Sequence, residues 1–207
     1  MHSTPIARRV EQHAREAGVV GAGGGGFPTY AKWTDGAAGN LLVNHQESEP
    51  NCGTDRWLGR EFAPELAALF ERLLAGPLDR IVVGAKQRDR DLLAPLVRAT
   101  GATVYGPGVL PLDPADGAGE VVVVLTDDTY EYGTESLLLQ VVADTVIGRD
   151  PPTEHGWVVQ NTETLYNISR ALDGEPTLDT WLHVDGVCDG ERLPNRMYRA
   201  PVGTPAR

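Results

Sequence analysis

Gly18–Trp33 reads GVVGAGGGGFPTYAKW, with five glycines inside Gly21–Gly26 and an unbroken continuation into Phe27, Pro28 and Trp33. Such a run is neither helix interior nor ordinary strand, because each glycine costs backbone entropy there. It suits a different task. Backbone N–H groups in a glycine-rich turn converge on a phosphate, and missing side chains let a flat ring approach the chain. Pro28 stands where a helix can begin, with Thr29–Trp33 as its first turns. Lys32, six residues beyond the last glycine, is placed to meet a phosphate as a point charge. The spacing matches neither the Walker A sequence nor the GxGxxG fingerprint. A flexible surface loop is the plain alternative, but a linker rarely continues into Phe27, Pro28 and Trp33.

Outward from this loop the pattern alternates. Thr4 and Pro5 predict the start of a helix reaching about Ala17. Leu41–Val43 predicts a buried strand ending at Asn44, and Pro64–Leu74 an amphipathic helix stopped by Gly76-Pro77. Ile81–Val83, Ala102–Tyr105, Val121–Leu125 and Trp157–Val159 read as strands. Asp89–Thr100, Thr134–Ala143 and Asn161–Leu172 read as helices, and 106–119 as an excursion without regular structure. This alternation predicts a Rossmann-like, three-layer α/β domain around a largely parallel sheet, over residues 1–176. From 177 to 207 the pattern changes to strand-like alternation (Trp181, His183, Asp185), giving a short C-terminal β tail that ends irregularly at 201–207.

Bulk properties remove several function classes. Lys plus Arg total 18 against 29 Asp plus Glu, for a formal charge of -11. That field repels polyphosphate backbones, so no nucleic-acid partner is expected. Cys52 and Cys188 are the two cysteines. They make neither a four-cysteine cluster nor a disulfide framework, and the histidines have no ligand spacing, so no metal site is expected. Arg8, Arg9, Glu11 and Arg15 interrupt any signal-peptide stretch, and no apolar run is long enough to span a bilayer. A cytoplasmic location without direct membrane insertion is the expectation; a peripheral subunit of a membrane complex would look the same.

A second constellation, NHQESEP at Asn44–Pro50, directly follows a predicted strand. Its amides and carboxylates match the edges of a heteroaromatic ring and the hydroxyls of a ribityl chain. Standing alone, it reads rather as a solvated acidic loop.

GAGGGGFPTYAKW, LLVNHQESEP, YGTES and VVQNTETL, in that order, together resemble the FMN- and NADH-binding flavoprotein subunit of respiratory complex I. They also resemble the related subunit of the Rnf electron-transport complex and cobalamin reductases of that type. The resemblance covers about Gly18–Leu172, and the tail looks like the start of the small β domain that follows in those proteins. It implies FMN held by Gly21, Gly23, Gly24 and Gly26, with Lys32 near its phosphate. Asn44, Gln46, Glu47 and Ser48 match the segment touching the ring and ribityl chain, where complex I proteins usually have Asp at Gln46. Phe27 and Glu49 match residues that touch a nicotinamide nucleotide, which makes Glu49 the candidate catalytic residue. Gly133 and Glu135 match pocket-lining positions, and Gln160, Asn161 and Thr164 the motif that closes on the phosphate side. The family's first amide there is usually Asn.

The resemblance implies an FMN-dependent oxidoreductase domain taking hydride from NADH or NADPH. Electrons then pass to a small acceptor, or to an electron-transfer partner subunit. A homo-oligomer is an equal expectation. The sequence carries no cysteine motif for the relatives' iron–sulfur domain. The second aromatic of the complex I NADH site falls near Asp35, and its loop arginine at Ala22. Two rival readings follow: a flavin enzyme acting directly on a small substrate, or a non-catalytic FMN-binding or scaffold subunit.

Overall fold

Leu41, Leu42 and Val43 are wholly buried because strand β1 (Asn40–His45) is flanked on both sides in a parallel sheet. The computed structural model describes residues 6–34, 39–49, 52–76, 78–188 and 190–205. The other strands are β2 (Arg80–Lys86), β3 (Thr103–Tyr105), β4 (Val121–Thr126) and β5 (Trp157–Asn161), in the order β3-β4-β2-β1-β5. All four pairings are parallel. Strands covered on both faces read as continuous apolar runs, which is why Ile81–Val83 and Val121–Leu125 carry no alternation.

Successive side chains feed two separate cores. Leu41, Val43, Ile81 and Val83 pack with α1 (Ile6–Glu16), α2 (Thr54–Glu61), α3 (Ala63–Leu74), α4 (Ala94–Thr100) and α6 (Thr162–Leu172). Leu42, Val82, Val122 and Val124 pack with Leu138, Leu139 and Val142 of α5 (Glu135–Ala143). The result is three layers, as the sequence pattern predicts.

Several expected elements differ in detail. Thr29–Trp33 forms a single 3-10 turn, Thr29–Lys32, rather than the start of a longer helix. The helix expected from Asp89 begins at Ala94, where Pro95 sits in the first turn. The excursion at 106–119 holds one short 3-10 turn, Pro107–Val109. Arg80 fastens it: the buried guanidinium donates to the carbonyls of Asp113, Pro114 and Asp116 at 3.1–3.3 Å. A loop without a ladder of its own thereby has those acceptors paired. The Thr4–Pro5 cap and Asp35 lie outside the described residues.

Helix α2 carries no apolar stripe in its sequence, TDRWLGRE, and its origin is tertiary. The carboxylate of Glu47 accepts the Asp55 N–H at 2.7 Å, capping the helix from another segment. Gly59 lies against the His45 ring, where a Cβ would stand 2.7 Å from Cε1.

Beyond α6, β6 (Asp179–Cys188) and β7 (Glu191–Pro201) form a two-stranded antiparallel sheet. Trp181 anchors it, with its ring 4.6 Å from that of Trp57 and 5.9 Å from that of Phe62. No helix among the described residues is long and apolar enough to cross a membrane.

The chain leaves β1 toward β2 on one side and later crosses to β5 on the other. In open α/β sheets a crevice opens outside the carboxyl ends of strands where the order reverses. Here that place is the end of β1 and β5, where Asn44 pairs with Asn161.

Candidate functional site

The glycine loop closes over this crevice. Its neck is tied by Gly21 N–H to the Phe27 carbonyl at 2.8 Å and Thr29 N–H to the Val19 carbonyl at 3.2 Å. Just inside the neck, Ala22 N–H is tied to the Thr164 hydroxyl at 3.0 Å. Gly24 and Gly26 have φ of 91° and 58°, which L side chains rarely adopt. Gly23 is needed for a different reason. A Cβ there would lie 2.6 Å from Asn161 Oδ1.

Beneath the loop is a cavity of about 660 Å³, within the roughly 300–1,000 Å³ typical of small-molecule sites. Gly21, Gly23, Gly26, Phe27, Lys32, Asn44, Gly133, Glu135, Gln160 and Asn161 line it together. Ten of the sequence-selected residues therefore meet in one place. The Lys32 ammonium donates to Glu135 Oε2 and to the Val159 carbonyl, each at 3.0 Å, along the outer edge of β5. Asn44 is locked by donating to the Gly133 carbonyl at 2.8 Å and accepting the Gln46 N–H at 3.1 Å. Gly133 is itself required, since a Cβ would lie 2.5 Å from Ser48 Oγ.

The remaining selected residues stand behind or beside the cavity lining. Gly24 shapes the loop, and Thr164 holds its first residues through Ala22. Gln46 donates to the Thr126 hydroxyl at 2.8 Å, leaving its buried Oε1 without a partner. Ser48 donates to the Tyr130 carbonyl at 2.8 Å. Glu49 accepts the Tyr130 hydroxyl at 2.6 Å. That hydrogen bond, and the carboxylate charge behind it, raise the Tyr130 pKa. Glu47 turns inward, 2.6 Å from Arg56 Nε.

Gly25, Ala31, residues 149–153, Trp157 and Val159 also line the cavity, although none of them is among the residues selected from the sequence. The stretch Ile147–Pro152 resembles the Rnf-type relatives more than complex I, but that likeness selects no single residue. Asp55 and Arg56 likewise escape the motifs, because α2 has no readable periodicity.

These two belong to a relay of buried caps. Glu47 caps α2, and Asp55 Oδ1 accepts the Glu163 N–H at the start of α6 at 2.8 Å. Glu163 in turn accepts the Thr180 hydroxyl at 3.2 Å and the Trp181 N–H at 3.4 Å, reaching β6. Burial, then the charges of Glu47 and Glu163, push the Asp55 carboxyl up to about 7. Burial also raises Glu163.

His45, 1% exposed, bonds through Nδ1 to the Thr162 hydroxyl at 2.7 Å. Burial, with the Arg56 charge nearby, lowers it to about 4. The folded protein thus keeps His45 neutral where the unfolded chain takes up a proton. Its stabilising contribution is whole above the unfolded value near 6.5 and is lost as pH falls toward 4. Asp55 has the opposite sign, since its stability is lost as pH rises from the unfolded value toward 7. The wild-type profile alone hides both. The stability difference between wild type and His45→Gln is therefore expected to grow by about 3 kcal/mol from pH 4 to 6.5. Denaturant titrations at both pH values measure it, and a constant difference would contradict a buried neutral imidazole.

The cavity can be tested against the FMN implied by the motifs. Gln160 is 4% exposed and lines the cavity, yet its Nε2 donor has no partner. A buried orphan donor is costly unless a ligand acceptor meets it. Lys32 on the cavity wall supplies the anion side, and the missing side chain of Gly23 lets the loop lie close to Asn161. Phe27, 51% exposed at the rim, offers an apolar face. These donors and surfaces fit a phosphorylated, flat, polar-edged group.

Comparison with known proteins agrees. Residues 14–170 match the family model described as the Nuo51 FMN-binding domain. A subunit of the ion-translocating oxidoreductase complex of Edwardsiella ictaluri is 30% identical over 203 residues, covering 94% of this chain and 23% of that protein. Its counterpart from Pectobacterium atrosepticum is 31% identical over 202 residues, covering 94% of this chain and 26% of that protein. The chain thus spans about a quarter of the length of these curated relatives. A chain of the NAD+-reducing NiFe-hydrogenase, solved in its H2-reduced state, is similar in fold with a TM-score of 0.66 at 20% identity. That match covers 97% of this chain and 40% of the other.

Proposed function

Because the chain belongs to the Nuo51 FMN-binding domain family, with FMN as its cofactor, we propose that it accepts hydride from NADH or NADPH and passes the electrons on. The observation carrying this reading is the cavity under the glycine loop, with the unpartnered Gln160 donor on its wall and Phe27 at its mouth. Bound FMN supplies the chemistry of accepting a hydride and releasing electrons singly. The protein's part is to seat, orient and shield.

In this reading the loop N–H groups and Lys32 hold the phosphate, while Asn44 and Gln160 meet the polar edges of the ring and ribityl chain. Gln46, Glu47, Ser48 and Thr164 stiffen that lining from behind, as do Gly24, Gly133 and Glu135. Phe27 stacks on the nucleotide, and Glu49, steadied by Tyr130, faces it. The two cysteines do not make a four-thiolate site within these residues, so electrons pass to a small acceptor or to centres held elsewhere. An electron-transfer partner is favoured because the relatives are named as subunits of an oxidoreductase complex. The division into a cofactor domain over 1–176 and a β element over 177–207 is part of the same proposal.

The test is anaerobic. Flavin absorbance of the purified protein is expected to bleach on adding NADH or NADPH. FMN retained but not reduced by either nucleotide would remove the hydride step and leave the cofactor assignment standing. Lys32→Ala is expected to weaken FMN binding by about 10- to 100-fold, the worth of one charge-assisted hydrogen bond. Fluorescence titration of the flavin-free protein measures this, and unchanged affinity would take Lys32 off the phosphate.

A further inference from the structure

The first turn of α6 has two roles. Its Thr164 hydroxyl holds the glycine loop, and its Glu163 N–H is taken by the buried carboxylate of Asp55 at 2.8 Å. Asn161, the residue before the helix, stands between them. It lines the cavity, its Oδ1 faces Gly23, and its amide favours the charged form of Asp55. An anion entering the cavity and the Asp55 carboxylate therefore draw on the same positive helix end.

The other charges around Asp55 give it little relief. Glu47 faces it from the segment after β1, and Glu163 from α6. Arg56, its neighbour on α2, is engaged by Glu47 at 2.6 Å and by Asp89, just ahead of α4, at 3.2 Å. His45 on β1 is buried and held neutral, and β6 brings His183 against Gly53 at the start of α2. A second anion at this helix end has to be offset, and the least costly route is to protonate Asp55.

We propose that Asp55 is the proton-linked residue of the FMN site: seating the cofactor's phosphate draws up to one proton, its share set by pH, from solvent onto the Asp55 carboxylate. This rests on the FMN assignment above. No bond other than this O–H forms, and the proton comes from the bulk.

The sign follows from linkage. With Asp55 at about 7 in the flavin-free protein, a bound dianion raises it further. Proton uptake then lies mainly above pH 7, and FMN affinity falls with rising pH there, by up to about tenfold per unit. The phosphate itself, with a second pKa near 6, is already a dianion in that range and releases no compensating proton.

Isothermal titration of the flavin-free full chain with FMN at pH 8, in buffers of different ionisation enthalpy, reads the proton count directly. About half a proton taken up per FMN is expected. Asp55→Asn keeps an oxygen for the Glu163 N–H and is expected to bind FMN with no uptake and a flat pH profile between 7 and 9. Glu163→Gln removes one of the facing charges and is expected to move the uptake window to lower pH, an independent check should Asp55→Asn fold poorly. Wild-type binding without uptake, uptake that persists in Asp55→Asn, or an unmoved window in Glu163→Gln each overturns the assignment. Absence of FMN binding by the wild type would instead take down the cofactor reading, and this inference with it.

Discussion

Arg56→Met is expected to cost about 3–5 kcal/mol of folding stability, the usual consequence of stranding buried charge. Arg56 Nε lies 2.6 Å from Glu47 Oε2, and its NH1 lies 3.2 Å from Asp89 Oδ1. Those carboxylate side chains are 5% and 3% exposed, so neither has water to fall back on. A third donor, NH2, bonds the Cys52 carbonyl and fixes the approach to α2. Methionine fills much of the same volume but leaves two carboxylates facing each other across it. They must protonate or drag water inward, and either response loosens the Glu47 cap on α2. Arg56→Lys keeps the charge without the planar fork and is expected to recover only part of the loss. Urea denaturation at pH 7 decides the matter. A loss below about 1 kcal/mol would mean that the pair is weak in the way surface pairs are.

Gly23→Ala is expected to lower FMN affinity by at least about 100-fold, near 2.7 kcal/mol, while stability moves by less than about 1 kcal/mol. The residue is exposed and its backbone does not need positive φ, so folding has little at stake. The effect lies in one contact. The added Cβ would stand 2.6 Å from Asn161 Oδ1, which forces either the loop outward or the Asn161 amide off the cavity wall. A double-mutant cycle isolates it. If Gly23→Ala costs as much in an Asn161→Ala background as in the wild type, the clash is not the cause.

The cofactor side of this protein is unusually open to reading. Five glycines followed by Phe27, Pro28 and Lys32 announce an anion loop, because few other backbone tasks tolerate such entropy loss. Ten residues selected from four separate motifs then line one cavity. The strands are readable too, since burial on both faces writes itself as Val and Ile runs. Helix α2 is not readable, because its cap comes from Glu47 and its close-packed neighbour is His45. The motifs put Glu47 among the ring and ribityl contacts, whereas its carboxylate faces Arg56 in the structure. The type of residue is legible in sequence; the direction of its side chain is not.

The sequence by itself therefore determined the glycine loop, the α/β alternation, and the presence of amides and a lysine suited to FMN. These are local consequences of backbone entropy, hydrophobic period and side-chain chemistry, each expressed within a dozen residues. Only the tertiary structure decided which groups share a helix end: the Glu47, Asp55 and Glu163 caps, neutral His45, and Gly23 against Asn161. Their properties come from burial and from charges more than a hundred residues away in the chain, as between Asp55 and Glu163. Desolvation is a property of the packed interior, and no run of letters carries it.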